Sequence, residues 1–326
     1  MLTARSTLSR LFVLSVFASV VVLSACTTGN DASQSGYVIV EADKSNSEQI
    51  AKFYLSGLAE SQGDVALSNF VVVENGDITI RPDSISVHYP LIGDALRDIT
   101  NQGRIQWDSF EEIMSQSYYA ARQLPPTIDS LIRKFDVDRD NSFVIDVDGV
   151  MTTARRHTFI GTENLRAALR AFEQNSDKLV YPVGTVVIGE HIDGDTLVET
   201  TAMIKRPDDF WDFAVYDSMG MLADSTQPLS ESLAAPAQCT GCHFGKRANE
   251  PEKSFPGNAP VGPDGPRKIH MIDPLPSTQL VRFFDEHRRR SDYLLGLYGT
   301  LYVNRLMQTS PSDSLIAPFM TRLDQN

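Results

Sequence analysis

The sequence predicts an α+β fold, in which a helical N-terminal region precedes an antiparallel β-sheet region that ends in further helices. Three observations lead to this prediction. Between residues 89 and 135, apolar residues recur at helical spacing, with breaks at Gly103 and at Pro125-Pro126. From about Asp177, β-prone runs alternate with turn residues. The stretch 278–307 is again helical in pattern, and 42% of the 326 residues are hydrophobic, which is ample for buried cores.

The N-terminal third contains signals for one helix and one hairpin. Ser45 and Glu48 have the spacing of a capping box, and a helical stripe of apolar residues follows from Ile50 to Leu58. Two β-prone runs then flank Asn75-Gly76, which is a strong signal for a two-residue hairpin turn. We therefore expect a small α/β segment before the helical region.

The second half contains signals for a β-meander. A helix is predicted over 163–174, and the two β-prone runs 184–192 and 196–204 flank Asp193-Gly194-Asp195, a second hairpin turn. The aromatic run 211–216 predicts a third strand. These strands directly precede the segment that contains two of the three cysteines of the chain.

That segment reads Cys239-Thr240-Gly241-Cys242-His243. The pattern C-x-x-C-H is the unit to which c-type haem is attached, with both thiols bonded to the macrocycle and the histidine bound to the iron. A redox dithiol would be expected near a βαβ pattern, and a structural zinc site would need two further ligands. A chance match is the remaining alternative. We predict one covalent haem c, held by Cys239 and Cys242, with His243 as the iron ligand.

The first 25 residues have the pattern of an export signal. Arg5 and Arg10 precede an apolar run, 11–22, that is too short to span a bilayer. Leu23-Ser24-Ala25-Cys26 then resembles a bacterial lipobox, which predicts that Cys26 is acylated and anchors the protein to a membrane. An ordinary cleavage site with a chance cysteine is the alternative. Thr27, rather than aspartate, favours the outer membrane over the inner membrane, and haem c attachment likewise requires export to the periplasm.

The charge and the cysteine count restrict the partners and the redox chemistry. The formal net charge is −13 and the pI is about 4.9, which argues against nucleic acid as a partner. If Cys26 carries lipid and Cys239 and Cys242 carry haem, no cysteine remains for a disulfide.

An acidic segment in the helical region predicts a possible calcium site. Carboxylates alternate at the start of this loop, as in an EF-hand: Asp136, Asp138 and Asp140. A similar loop begins upstream at Asp98, so residues 90–150 resemble a degenerate EF-hand pair. The second loop has Val147 where a bidentate glutamate belongs, so we expect weak Ca²⁺ binding at best. The alternative is an acidic turn between a helix and a strand.

Three segments together resemble the cytochrome P-460 and cytochrome c′-beta family. Tyr181–Glu190 is similar to its G-T-V-x-V-K-E strand, 211–216 to its aromatic strand, and Ala237–His243 to its haem-binding turn. The resemblance covers about residues 177–255. It implies one haem c wrapped in an antiparallel sheet, with His243 on one side of the iron and a pocket on the other. Glu199 and Thr201 fall on the strand where the family has its distal-pocket residues.

The chain departs from this family at one functional position. Hydroxylamine-oxidising members have a lysine cross-linked to the haem where this chain has Gly189, so that reaction is not expected here. A sixth iron ligand is the open question, and His270 or Met271 is the first candidate because this pair follows the CxxCH segment. Other candidates also fall near the haem region: His157, His191 and Met203.

These patterns divide the chain into five parts: a lipoprotein signal peptide (1–25), a lipidated N-terminus and tether (26–48), a small α/β segment (49–88), an EF-hand-like helical region (89–150), and a P-460-like haem c domain with C-terminal helices (151–326). The expected protein is a lipid-anchored periplasmic cytochrome that binds a small ligand of the NO or CO type at an open distal site, exchanges single electrons with a redox partner, or both. The alternatives are a haem oxidoreductase acting on a small nitrogen compound or peroxide, and a calcium-responsive module with accessory haem.

Overall fold

The computed structural model describes most of the chain between residues 36 and 325: 36–42, 47–63, 65–149, 154–174, 180–224, 235–243, 269–271 and 302–325. The predicted signal peptide, Cys26 and most of the segment after His243 lie outside the described residues. The described part has a mixed α+β architecture with largely antiparallel sheets, as the sequence predicts.

The N-terminal part builds a four-stranded sheet beside helices. Its elements are β1 (Val38–Glu41), α1 (Ser47–Ser61), β2 (Val71–Glu74), β3 (Asp77–Ile80), α2 (Pro82–His88), α3 (Pro90–Asp98), β4 (Arg104–Gln106) and α4 (Trp107–Ala121). The strand order is β2-β3-β1-β4, and β4 pairs with β1 in parallel. The predicted hairpin between β2 and β3 is confirmed, with positive φ angles of 53° at Asn75 and 88° at Gly76.

A six-stranded antiparallel sheet forms the second layer. In chain order, its strands and the helices that accompany them are α5 (Ile128–Lys134), β5 (Ser142–Gly149), β6 (Arg155–Gly161), α6 (Thr162–Gln174), β7 (Val186–Asp193), β8 (Thr196–Lys205), β9 (Trp211–Asp217), α7 (Ala237–His243), β10 (Ile269–Met271), α8 (302–309) and α9 (Ile316–Gln325). The strand order is β10-β5-β6-β7-β8-β9. The predicted β7–β8 hairpin and the predicted strand β9 are confirmed.

The six-stranded sheet begins earlier than the sequence predicts. β5 and β6 pair from Ser142 opposite Gly161 to Asp148 opposite Arg155, on either side of the predicted boundary after residue 150. These strands were not recognised because charged side chains interrupt their apolar positions. Ile145 and Ile160 nevertheless face a core and are each 1% exposed. The chain on both sides of residue 150 therefore contributes to one sheet.

The second EF-hand-like loop lacks the helix that should follow it. α5 ends at Lys134, and the chain enters strand β5 at Ser142. The first loop does lie between two helices, α3 and α4, with Gly103 at a φ of 75°, but its short strand β4 pairs with β1 rather than with the second loop. The alternative interpretation, an acidic turn between a helix and a strand, therefore describes residues 136–141.

The two faces of the six-stranded sheet pack against different helices. The inner face includes Val187, Met203 and Phe213 and belongs to the large core that also contains α1 and α4. Phe53 of α1 links these layers, since its ring centroid lies 5.3 Å from that of Tyr118 and 5.7 Å from that of Phe213. The outer face includes residues such as Ile188 and packs on α5. Both faces are thus covered, and the inner face is the one that meets the CxxCH segment.

Candidate haem site

The CxxCH segment forms the short helix α7, which is anchored on the large core. Thr240 is fully buried, and its hydroxyl donates to the carbonyl of Ala237 at 3.0 Å. The hydroxyl of Ser115 on α4 donates to the carbonyl of Ala235, just before α7, at 3.4 Å. Cys239 is half-buried, forms no disulfide among the described residues, and packs against the core. The helix places positions 239 and 242 one turn apart, on the same side of α7.

His243 is the residue of this segment that reaches the sheet. Its ring centroid lies 4.7 Å from that of Phe213 on the inner face, with the two rings tilted by 39°. Burial lowers the pKa of His243 to about 3, and the positive charge of Arg156 acts in the same direction. His243 is therefore a neutral imidazole, which is the form that binds a metal.

Four charged or ionisable residues align across the inner face of the sheet. In the strand register, Arg156 of β6 lies opposite His191 of β7, His191 opposite Glu199 of β8, and Glu199 opposite Asp217 of β9. His191 and Glu199 are only 5% and 1% exposed. We call Arg156, His191 and Glu199 the inner polar row. Such a row is costly on a core-facing surface unless its members find partners.

His191 and Glu199 form the closest pair of this row. Nδ1 of His191 lies 2.8 Å from Oε1 of Glu199. Burial lowers the pKa of His191, assisted by the charge of Arg156, and these effects outweigh the opposing contact with Glu199. The two atoms are in contact, but Nδ1 of His191 does not meet the geometry of a hydrogen bond.

Gly189 packs closely beside this pair, without room for a side chain. A side-chain Cβ at this position would lie 2.9 Å from Oγ1 of Thr201, 3.9 Å from Oγ1 of Thr158 and 4.0 Å from Nε2 of His191. The hydroxyl of Thr201 donates to the carbonyl of Gly189 at 3.3 Å. We call this closely packed group of four residues the Gly189 notch. It presents two hydroxyls and one imidazole nitrogen on the face of the sheet that His243 contacts.

The structure brings only some of the predicted site residues together. Glu199 and Thr201, the two weak distal candidates, both lie at this inner face, at the polar row and the notch. His270 and Met271 lie on β10 at the opposite edge of the sheet, where they pair with Asp148 and Val147. Their side chains are outside the described part.

The remaining candidates for a sixth iron ligand lie on different faces of the six-stranded sheet. Met203 lies on the inner face and is 7% exposed. Nδ1 of His157 contacts a carboxylate oxygen of Asp146, in the register row next to the inner polar row, where side chains point to the opposite side. Arg156 was missed by the sequence analysis. The sequence signal for Arg156 is its position in a β alternation, as a charged residue midway between the buried residues Ala154 and Thr158. The sequence does not clearly predict strand β6, which conceals this signal.

The acidic loop uses part of its own charge locally. Oδ1 of Asp138 accepts hydrogen bonds from the backbone N–H groups of Asp140 and Asn141, at 3.0 and 3.1 Å. Asp136 and Asp140 are exposed. Within the described ranges, no group of three or more His, Cys, Asp or Glu side chains has an arrangement that could hold a metal ion. The geometry therefore gives no support to a calcium site at Asp136, Asp138 and Asp140.

Comparisons with known proteins provide no relative, since no family, curated protein or solved structure matches the chain. The fold and the site must therefore be interpreted from their own geometry. Among the described residues, no helix has both the length and the apolar character needed to cross a membrane.

Proposed function

We propose that this protein is a monohaem c-type cytochrome that binds a small ligand of the NO or CO type at an open distal site, transfers single electrons, or both. One observation carries the proposal. The CxxCH segment is a helix docked on the core, and His243 contacts the same sheet face that holds a buried polar row. A dithiol or zinc site would give no role to these polar groups.

The described residues fit the chemical groups of haem c. Cys239 would form one thioether bond, and Cys242, three residues on, would supply the second thiol. The neutral His243 would bind the iron. Among the described residues, Nε of Arg156 is buried without a hydrogen-bond partner, and Arg156 would pair with a haem carboxylate. When bound, the haem iron supplies a one-electron couple and a coordination position for a small molecule.

The protein side chains would supply orientation and exclusion of water. Phe213 packs against His243 and restricts its ring orientation. The apolar inner face, including Val187 and Met203, limits solvent access. A low-polarity environment around a metal centre controls its potential and its access to ligands. These roles are compatible with ligand binding and with electron transfer.

The resemblance to the cytochrome P-460 and c′-beta family supports this proposal through the order of its motifs. Hydroxylamine oxidation by a lysine-cross-linked haem is not proposed, because Gly189 occupies the lysine position. The packing reinforces this distinction, since even a Cβ at residue 189 would come within 2.9 Å of Oγ1 of Thr201.

The proposed location is the bacterial periplasm, with Cys26 acylated and inserted in a membrane, the outer membrane in preference to the inner. The lipobox-like Leu23-Ser24-Ala25-Cys26 and the requirement for export of a haem c protein support this location. A redox partner would then be another periplasmic protein. The net charge of −13 favours a partner with a basic docking surface.

Covalent haem attachment tests the proposal directly. Acid–acetone extraction should leave one haem on each polypeptide, and replacing both cysteines, Cys239→Ala with Cys242→Ala, should abolish this attachment. Cys26→Ala is the matched control, because it should retain haem while releasing the protein from the membrane fraction. Haem that extracts from the wild-type protein would contradict the c-type assignment. Ferrous protein that fails to bind CO and is low-spin would instead show a closed sixth position.

A further inference from the structure

We propose that the corner between helices α2 and α3, formed by Val87, Pro90 and Leu91, docks on the lipid bilayer that holds the acylated Cys26. We call these three residues the apolar corner. This inference rests on the proposed lipid anchor, and it goes further by naming the surface of the folded protein that faces the membrane. The occupant of this surface is the apolar layer just below the lipid headgroups.

The first step of the argument is the exposure of the apolar corner. Leu91 is 87% exposed and Val87 is 76% exposed, which makes them the two most exposed branched aliphatic side chains in the described part of the chain. Pro90, between them, is also exposed. A single exposed leucine needs no explanation, whereas neighbouring exposed apolar side chains mark an interaction surface.

The second step is the absence of charge around the corner. Residues 84–93 contain no Asp, Glu, Lys or Arg, although 22% of all residues in the chain are charged. The next carboxylates on either side, Asp83 and Asp94, both form ion pairs with Arg97. An acidic protein with a net charge of −13 is repelled by an anionic membrane surface. An uncharged apolar corner is therefore a part of the protein that can approach lipid at low cost.

The third step is the rigid support beneath the corner. Gly93 of α3 lies directly on the backbone of α2, since a Cβ at this glycine would lie 2.5 Å from the backbone nitrogen of Ser86 and 2.6 Å from the carbonyl oxygen of Pro82. Between the two helices, the hydroxyl of Tyr89 donates to the carbonyl of Leu58 on α1 at 2.9 Å. The exposed side chains are thus held on a fixed scaffold, and little conformational entropy is lost when they dock.

The fourth step is the point at which the chain from the anchor reaches the fold. A Cβ at Gly36 would lie 3.3 Å from Oδ2 of Asp83, in the first turn of α2. Val87 follows Asp83 by one helical turn, roughly 6 Å further along the same side of α2. The ten peptide steps from Cys26 to Gly36 span at most roughly 35 Å. An acylated Cys26 therefore keeps the apolar corner close to the bilayer.

The anchor and the corner have different roles in this arrangement. The acyl chains attach the protein to the membrane, because each buried methylene group adds to the affinity. Two exposed side chains would bind lipid only weakly on their own, but the tether makes their contact intramolecular and raises their effective concentration. The corner therefore fixes the orientation of the folded protein on the bilayer rather than its attachment.

The experiment places a tryptophan in the corner of the full-length acylated protein. Leu91→Trp is reconstituted into phosphatidylcholine vesicles with ordinary or brominated acyl chains, and bromine quenches only a tryptophan that lies close to it. Brominated lipid should lower the added emission about twofold, as expected for a side chain at the boundary between headgroups and acyl chains. The native Trp107 and Trp211 are 1% and 5% exposed and contribute the same background in every variant.

Met219→Trp is the matched control for this probe. Met219 is 85% exposed, nearly the same as Leu91. It follows the end of β9 at which Asp217 pairs with Glu199, whereas α1 contacts the sheet beyond the opposite end of β8, through Arg206. Brominated lipid should leave the emission of Met219→Trp unchanged.

Two further variants in the Leu91→Trp protein separate the corner from the anchor. Val87→Asp places a carboxylate in the apolar layer and should abolish the lipid quenching, while the protein still floats with the vesicles. Val87 is exposed, so this change should not disturb the fold. Met219→Asp is its control and should retain the quenching. Cys26→Ala should reduce the quenching at least about tenfold at the same lipid concentration, because the effective concentration supplied by the tether is lost.

The outcomes distinguish failure of the anchor from failure of this inference. Protein that does not float with vesicles has no lipid anchor and overturns both. Protein that floats, but in which brominated lipid quenches Leu91→Trp no more than Met219→Trp, overturns the inference alone. An emission of Leu91→Trp that is already shielded from water before lipid is added, together with a dimer in light scattering, would show that the corner binds a second copy of the chain and would also overturn it.

Discussion

The inner polar row and a second buried polar cluster both hold charged side chains inside the protein, but they pair these side chains to different extents. We call the second cluster the arginine cluster. It lies where β8 and β9 meet the helices α1 and α4, and its main members are Arg122, Arg206, Asp212 and Tyr118. Arg206 is 2% exposed and Asp212 is 4% exposed, so the arginine cluster, like the inner polar row, holds charged side chains inside the protein.

The arginine cluster supplies a partner for nearly every polar atom. Arg122 donates to both carboxylate oxygens of Asp212, with Nη2 to Oδ2 at 2.8 Å, and Tyr118 donates to Oδ1 at 2.5 Å. Arg206 donates to the carbonyl of Phe53 on α1 at 3.2 Å. Burial opposes the charge of Arg122, but its hydrogen bond and ion pair with Asp212 outweigh this effect and raise the pKa of Arg122. This cluster joins the two layers of the fold.

The inner polar row is less completely paired. His191 has a carboxylate at Nδ1, but its Nε2 is directed to the notch, and Nε of Arg156 has no hydrogen-bond partner within the described ranges. A stabilising network would be expected to satisfy such groups. We propose that the arginine cluster serves folding and that the polar row is less completely paired because it serves a bound group.

Removing the central carboxylate of the arginine cluster should have the largest effect on stability. Asp212→Ala removes the carboxylate that the buried guanidinium groups of Arg122 and Arg206 share, and we expect it to lower the free energy of unfolding by about 3–5 kcal/mol. Urea denaturation followed by circular dichroism measures this loss. Asp209→Asn is the control, because Asp209 is 73% exposed where it pairs with Lys205 and asparagine tolerates the φ of 71° at this position, so the change should cost less than about 0.5 kcal/mol.

Glu199→Gln provides the corresponding change in the polar row. It keeps the side-chain volume and an oxygen that can accept from His191, and Glu199 has a further contact in the structure. We therefore expect a smaller loss of stability than for Asp212→Ala. An equal or larger loss would show that the polar row, too, is primarily a structural network.

The sequence predicts the fold where the local signals are strong. Asn75-Gly76 and Asp193-Gly194-Asp195 identified both hairpins, because positive φ angles at such turns restrict the residue types. The pairing of β4 with β1, and the addition of β5 and β6 to the sheet, depend on contacts between distant residues that no local pattern encodes.

The residues of the candidate site divide in the same way, into those with a local sequence signal and those without one. The CxxCH segment is a local motif and was found from the sequence, as were Glu199 and Thr201 through the family resemblance. Arg156 and the pairing of His191 with Glu199 follow from strand register, which the unrecognised strand β6 concealed. The close packing at Gly189 involves threonines from the two neighbouring strands, so it is visible only in the three-dimensional structure.

Adding a methyl group at Gly189 should have an intermediate effect on stability. In Gly189→Ala the new Cβ would lie 2.9 Å from Oγ1 of Thr201, whose branched side chain has little rotational freedom. We expect a loss of about 1–3 kcal/mol in the free energy of unfolding, measured by urea denaturation. Adding Thr201→Ala should recover part of this loss, because it removes the close atom.

Gly161→Ala is the control for this substitution. Its Cβ would lie 3.2 Å from the amide nitrogen of Asn164, which is the end of a flexible side chain, so the change should stay within about 0.5 kcal/mol. If Gly189→Ala is equally well tolerated, and Thr201→Ala adds nothing, then the close packing around the notch is not significant.

The smallest expected effect is a difference in acid sensitivity between the two clusters. The pKa of His191 is lowered in the folded protein by burial, with Arg156 acting in the same direction and Glu199 in the opposite direction. At a pH below the ordinary value of 6.5, the unfolded chain therefore binds more protons at this residue than the folded chain does. The stability contributed by a neutral His191 is present above pH 6.5 and is lost as the pH falls through the lowered pKa. Replacing His191 should therefore make stability less dependent on pH between 7 and 5.

Urea denaturation of wild type and His191→Gln at several pH values between 7 and 5 measures this dependence. Ser56→Ala in the arginine cluster is the control, since the Ser56 hydroxyl accepts from Nη2 of Arg206 at 2.9 Å and arginine keeps its charge across this range. It should cost about 1 kcal/mol at every pH and leave the slope unchanged. A slope for His191→Gln equal to that of wild type would mean that His191 is already able to take up a proton within the folded protein. The polar row would then resemble the arginine cluster in having a full set of partners for its charges, and the distinction between the two clusters would fail.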